Sequence, residues 1–322
     1  MSKKIGFVFP GQGSQKIKML ADLYEPFPII KKLFGKASEV LGYDLWQLTQ
    51  EGPEEKLNQT EFTQPALLVA DVAIWHCWNE KNGIKPLIMA GHSLGEYAAL
   101  VCANSLSFEE GVQLVAKRGA YMQAAVQSGI GAMAAIVGLE DEQVTELCDQ
   151  MVNEGKGLVS PANFNSIGQI VVAGHTAAVD ALVSLAKEKG ARLARRIPVS
   201  VPSHCALMAP AAQRLATALK TVAFKTPEIP VIQNANVDVS EDPEIIRTNL
   251  IEQLIRPVQW VKTILKMKED GIAVLIESGP SHVLAGLNKR ILAEIPTYSV
   301  SSVESLASAL QSVGELGCCQ TK

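Results

Sequence analysis

Apolar positions along the chain fall into short unbroken runs separated by stretches of helical period. The run Ile5 to Phe9 (IGFVF) is stopped by Pro10 and a glycine-rich loop, which predicts a buried strand. Residues 65–80 repeat their apolar positions with helical period, and PLIMA, residues 86–90, predicts a second short buried strand. A helix follows over residues 107–126. Ser107 and Glu110 make a capping box there, and Val112, Leu114, Val115, Met122 and Val126 form the apolar stripe. Strands that are apolar on both faces and alternate with helices imply a parallel sheet covered on both sides.

From residue 131 the pattern changes. GAMAAIVGL, GLVSPANFNS, GQIVVAGH and ARLARRIPVSV read as strands, with DEQVTELCDQMVNEG and TAAVDALVSLAKEKG as helices between them. The order β-α-β-β-α-β over residues 131–199 is that of a ferredoxin-like split βαβ unit. The expected fold class is therefore α/β in two parts. A larger α/β-hydrolase-like lobe with a central parallel sheet takes residues 1–127 and 199–322, and a smaller ferredoxin-like lobe, residues 128–198, is inserted into it. The length of 322 residues suits two lobes, since single cores stop growing at about 250–300 residues.

Composition narrows the function classes. With 48% hydrophobic and 19% charged residues the chain can bury a core and is not a disordered sequence. A net charge of -4 gives no overall attraction to polyanions, so no nucleic-acid partner is expected. The six cysteines show neither C-x-x-C spacing nor a metal-site pattern, which fits free thiols in a reducing cytoplasm and no metal. The apolar stretch from Pro65 to Trp78 is broken by Asp71 and too short to span a bilayer, and IGFVF is too short for a signal peptide. No membrane association is expected. The end, CCQTK, puts Cys319 fourth from the terminus, but Gln320, Thr321 and Lys322 do not suit a prenylation signal, and Cys318-Cys319 is read as part of a disordered tail.

The chemistry centres on GHSLG, residues 91–95. A Gly-x-Ser-x-Gly between a predicted strand and a helix is a nucleophile elbow, with Ser93 at its tip and the Leu94 N–H as one oxyanion donor. The glycine-rich PGQGSQ offers the backbone N–H of Gln12 as the second. A phosphate-loop reading of that segment fails, because no Gly-Lys-Ser/Thr follows and Lys16 stands at the third glycine position.

For a base, His92 adjoins the nucleophile but points elsewhere, His76 is expected to pack within a helix, and His175 lies at a turn. His204 and His282, both in loops entering helices, remain open. Asp141, Asp149 and Asp180 all read as caps or solvated positions, so no hydrolase triad acid is visible.

Arg118 falls within the apolar stripe of its helix and has no acidic residue three or four positions away. An inward guanidinium needs either a distant carboxylate of the chain or a substrate anion, and its fork suits a carboxylate.

FVFPGQGSQ, TQPAL, GHSLGEYAAL, AKRGAYMQ, NFNSIGQIVVAG, VPSHCALM and PVQW together resemble the malonyl-CoA:acyl carrier protein transacylases of fatty-acid synthesis and their polyketide-synthase relatives. The resemblance runs from residue 5 to about 290. It implies Ser93 as nucleophile, His204 as general base, Arg118 as the clamp on the malonyl carboxylate, and the N–H groups of Gln12 and Leu94 as the oxyanion hole. It implies that a main-chain carbonyl, that of Gln253, orients the histidine in place of an acid. His282 falls outside these motifs and is read as a surface or capping residue.

On the same resemblance Met122 limits the size of the acyl α-substituent, and Asn163 and Asn165 contact the coenzyme between the lobes. The reaction it implies is ping-pong transfer through a malonyl-serine ester, with no bound cofactor, by a monomer whose partner is an acidic acyl carrier protein. Lys187, Lys189, Arg192, Arg195 and Arg196 are a candidate docking patch. The rival readings are an acyl thioesterase, a polyketide-pathway acyltransferase, and an inactive scaffold that binds carrier protein.

Overall fold

The computed structural model describes residues 4–199 and 201–318, the last four by backbone alone. The helix Val303–Cys318 reaches into the expected disordered tail, so the backbone at Cys318 is helical; the Cys318 side chain and residues 319–322 lie outside that description. Nine strands are formed among the described residues: β1 (Ile5–Phe9), β2 (Ile88–Gly91), β3 (Gly131–Val137), β4 (Val159–Ser166), β5 (Gln169–His175), β6 (Leu193–Arg196), β7 (Val231–Ile232), β8 (Val274–Ser278) and β9 (Thr297–Val300). They divide into a five-stranded sheet of order β7-β2-β1-β8-β9 and a four-stranded sheet of order β4-β5-β3-β6.

Every neighbouring pair in the first sheet is parallel. All residues of β1, β2 and β8 are buried, because helices cover both faces, and this is why those strands are apolar without alternation. The helix Thr60–Glu80 lies against this sheet and is buried almost all round, with Trp75 and Trp78 set edge-on to Phe7 at 5.0 and 5.3 Å between ring centroids. It begins at Thr60, earlier than the periodicity indicates, so Pro65 sits inside it.

The second sheet is antiparallel throughout, with the element succession β-α-β-β-α-β that the pattern predicts. One face packs Ile136, Val172 and Ala194 against the helices Asp141–Asn153 and Thr176–Glu188. On the other face Met133, Ala162, Val171 and Ala173 meet Cys205, with Ile197 and Val199 alongside. The last strand is shorter than the apolar run suggests. Ile197 still donates its N–H to the Met133 carbonyl, but Pro198 has none to give and the ladder ends. Backbone bonds tie the antiparallel sheet to the segment before the helix Trp260–Glu269: Phe164 N–H donates to the Val258 carbonyl and Val258 N–H to that of Ala162, each at 2.9 Å.

Candidate active site

The elbow forms where β2 ends at Gly91 and the helix Gly95–Cys102 begins. Ser93 holds φ 53°, the left-handed region that side chains avoid. Both flanking glycines are needed for close approach: a Cβ on Gly91 would lie 1.8 Å from the Gly95 carbonyl carbon, and one on Gly95 would lie 2.0 Å from the Phe9 oxygen. The loop after β1 presses on the same turn, since a Cβ on Gly11 would stand 2.5 Å from the His92 oxygen and 3.6 Å from the Leu94 nitrogen. Open α/β sheets gather ligands at these carboxyl ends of their strands. Beneath the turn, Asn234 brackets it. Its Oδ1 accepts from the Ser93 N–H at 2.7 Å and its Nδ2 donates to the Gly91 carbonyl at 2.6 Å.

His204, in the loop before the short helix Ala206–Met208, faces Ser93 with Nε2 2.7 Å from Oγ. Its Nδ1 lies 2.7 Å from the Gln253 carbonyl, which can only accept, so Nδ1 carries the proton and Nε2 is free to accept from the serine hydroxyl. Burial, with the Arg118 charge second, pushes His204 down to about 3, so the ring is neutral across the physiological range.

The other histidines lie apart from the serine hydroxyl. His282 is exposed at the start of the helix Val283–Ile291, and the His175 Nδ1 accepts from the Leu158 N–H. His76 is exposed on its helix rather than packed, which corrects the sequence expectation: the inward positions on that turn belong to Trp75 and Cys77. His92 is half-buried and turned to Asn165, Nε2 to Oδ1 at 2.8 Å.

Arg118 is 1% exposed on the helix Phe108–Ala125 and makes no ion pair among the described residues. Neutral oxygens solvate it instead. Nη1 donates to Gln64 Oε1 at 2.9 Å, and Nη2 to Gln253 Oε1 at 2.8 Å and to Ser93 Oγ at 3.3 Å. Among the described residues Nε has no hydrogen-bond partner, the guanidinium carbon lies 5.3 Å from the Tyr97 ring centroid, and burial lowers the group's pKa. A buried cation held only by amide and hydroxyl oxygens retains its full charge for a ligand anion.

These groups open into a cleft of about 470 Å³ between the two sheets. Met122, 2% exposed, lines it next to Gln64, whose Nε2 lies 3.4 Å from the methionine sulfur. Asn163 and Asn165 of β4 face it from the antiparallel sheet. Gln12 and Leu94 border it too, and neither backbone N–H has a partner among the described residues, so both are available to an oxyanion. Gln253 lies behind the cleft at 1% exposure.

Of the basic run, Arg192, Arg195 and Arg196 border, with Arg290, a second hollow of about 450 Å³ that meets the cleft at Ile197 and Pro198. Arg196 also pairs with Asp180 at 2.8 Å. Gln64, Glu96, Asn234 and the Gln253 side chain were not singled out from the sequence. Gln64 and Glu96 stand within the quoted motifs TQPAL and GHSLGEYAAL. For Asn234, 141 residues from the serine, no local signal exists.

Comparison with known proteins gives matches over nearly the whole chain. The model of the acyl transferase domain family matches residues 6–311. The malonyl CoA-acyl carrier protein transacylase of Haemophilus influenzae is 52% identical over 304 residues, 94% of this chain and 97% of the relative. The structure of the malonyl CoA-acyl carrier protein transacylase from Coxiella burnetii superposes with a TM-score of 0.95 at 51% identity, covering 97% of this chain and 98% of that one. A malonyl-transacylase solved in complex with a type II polyketide-synthase acyl-carrier protein superposes with a TM-score of 0.94 at 48% identity, covering 96% and 99%.

Proposed function

The chain belongs to the acyl transferase domain family, and on that premise we propose that it moves a malonyl group from malonyl-CoA to the phosphopantetheine thiol of an acyl carrier protein, supplying the extender unit of fatty-acid synthesis. Ser93 attacks the thioester carbonyl carbon while its hydroxyl proton passes to His204 Nε2. The tetrahedral oxyanion is received by the N–H groups of Gln12 and Leu94, with the positive end of the helix Gly95–Cys102 behind them. On collapse the C–S bond breaks, coenzyme A leaves with the proton from His204, and a malonyl ester remains on Ser93. The carrier-protein thiol then repeats the steps in reverse, giving ping-pong transfer.

The observation that carries this reading is the Nη2 of Arg118 beside Ser93 Oγ at 3.3 Å, with no carboxylate among the described residues paired to it. A malonyl carboxylate on the ester fills that need, whereas an acetyl group leaves the buried cation bare. A thioesterase for neutral acyl groups has no use for such a charge. Met122 bounds the acyl pocket, and Asn163 and Asn165 are proposed contacts for the coenzyme. Buried free thiols at Cys77, Cys102, Cys148 and Cys205 support a reducing, cytoplasmic setting, and no helix among the described residues is long and apolar enough to cross a membrane.

Intact-protein mass spectrometry after brief mixing with malonyl-CoA tests it. Wild type gains a malonyl adduct that is lost on adding phosphopantetheinylated carrier protein, and Ser93→Ala gains none. Absence of any adduct on folded wild-type protein would overturn the reading.

A further inference from the structure

Behind the cleft lies a buried polar assembly that touches no part of the space open to substrate. Glu96, the second residue of the helix Gly95–Cys102, is 0% exposed. Its Oε2 accepts two hydrogen bonds, from the Asn234 N–H at 2.9 Å and from Gln253 Nε2 at 2.8 Å. Its Oε1 has no hydrogen-bond partner among the described residues, and the Gln233 side chain also faces the carboxyl. Burying a carboxyl there is costly, and simple packing does not require it, because Tyr97, Ala98 and Leu100 already fill the helix's apolar contacts.

The two groups that Glu96 holds are the two that hold the reactive residues. Asn234 fixes the Ser93 N–H and the Gly91 carbonyl, the backbone atoms that fold the strained elbow. Gln253 is used three ways. Its carbonyl accepts from His204 Nδ1, its Oε1 accepts from Arg118 Nη2 at 2.8 Å, and its Nε2 donates to the Ser93 carbonyl at 3.0 Å as well as to Glu96. With Nε2 anchored on Glu96, the Gln253 amide cannot flip, and its oxygen must face Arg118. Ser93, His204 and Arg118 come from three separate segments of chain, and Glu96 is one bond removed from the partner of each.

We propose that Glu96 and Asn234 are positioning residues for acyl transfer, acting through one hydrogen-bonded assembly with Gln253 that sets the Ser93–His204 distance and the aim of Arg118 together. The inference rests on the reading of Ser93, His204 and Arg118 above. It predicts that loosening the assembly slows chemistry and blurs acyl selection, not that it merely weakens binding. Misplacing reacting groups by an ångström costs rate steeply.

The test is the single-turnover rate of Ser93 acylation, followed by mass, with malonyl-CoA and acetyl-CoA on wild type, Glu96→Ala, Glu96→Gln, Asn234→Ala and the double variant. Glu96→Ala and Asn234→Ala are each expected to lower the saturated malonyl rate by about tenfold or more, with KM changed far less, and to reduce the malonyl-to-acetyl ratio. Glu96→Gln, whose amide oxygen can take both bonds of Oε2, is expected to recover most of the rate. The double variant should be no slower than the slower single one, as for two residues acting as a unit.

Wild-type rates and selectivity in folded Glu96→Ala and Asn234→Ala would overturn the proposal. So would multiplicative losses in the double variant, or a Glu96→Gln rate as low as that of Glu96→Ala. Should Glu96→Ala not fold, Glu96→Gln and Asn234→Ala still decide the matter, the first by retaining the rate and the second by losing it. If wild type itself took no adduct, the transfer reading would fail instead, so the two failures are distinct.

Discussion

Ser93 and His204 stand 111 residues apart in the chain, yet one 2.7 Å hydrogen bond joins them and each holds a positive φ, 53° and 61°. A left-handed conformation costs an ordinary residue about 1–2 kcal/mol, so both are held there by their surroundings. For Ser93 the holder is the Gly91–Gly95 contact with Asn234 below it. For His204 it includes the Gln253 carbonyl, which also fixes the reactive tautomer. The strain aims Oγ and Nε2 at each other before any substrate arrives.

The histidine's acid limb should lie far from its usual place. In the proposed mechanism His204 must be neutral to accept the serine proton, and burial with the nearby Arg118 charge keeps it neutral down to about pH 3. Acylation measured in the Glu96→Gln background, so that this carboxyl does not titrate, should stay flat as pH falls from about 7.5 to about 5.5. An inflection near 6.5, the ordinary histidine value, would contradict this. Replacing His204 with Ala should slow acylation by about 10²–10⁴-fold.

Arg118→Lys keeps the charge but cannot reproduce the fork that reaches Gln64, Gln253 and Ser93. Malonyl loading should fall by about 10²-fold while acetyl loading changes little, as read by parallel single-turnover assays. Equal losses for both acyl groups would show that the guanidinium serves the fold and not selection.

Stability should follow the Glu96 carboxyl in a definite direction. Burial raises it from 4.5 to about 7, so the folded protein keeps a proton that the unfolded chain releases. Its favourable contribution is complete below 4.5 and is lost as pH rises through 7. The unfolding midpoint of Glu96→Gln relative to wild type should therefore climb between about pH 5 and about pH 8, measured by thermal denaturation. A constant difference across that range would mean the carboxyl does not titrate there.

Two glycine substitutions should move in opposite directions. Gly95→Ala forces a Cβ to within 2.0 Å of the Phe9 oxygen and should destabilise by about 1–3 kcal/mol or more, with loss of Ser93 acylation. At Gly35, in the helix Pro28–Leu41, an added Cβ meets nothing within 4 Å, so Gly35→Ala should stabilise by up to about 1 kcal/mol. Denaturant titration reads both.

Much of this was legible in the chain. The apolar runs of β1 and β2, the Ser107 cap and the strand–helix succession around residues 131–196 are local patterns, and each formed where its period indicated. Ser93 could be found because an elbow needs its two glycines at fixed spacing. Arg118 could be found because a charge inside an apolar stripe violates the helix's own pattern. The histidine was harder: from spacing alone His204 and His282 were equal, and only a family resemblance separated them.

What the sequence determines by itself is whatever depends on neighbours within a few residues: periods, caps, turns, and a side chain out of place in its stripe. The tertiary structure alone decides which of two loop histidines meets the serine, and that neutral amides rather than a carboxylate receive Arg118. It alone decides that Asn234 and Glu96 lie beneath the elbow. Those pairings join segments from 54 to 141 residues apart, and Glu96 to its own partners 138 and 157 residues on. No local energy term distinguishes such a partner from any other amide or imidazole on the chain, and only the closure of the two sheets around one cleft brings them together.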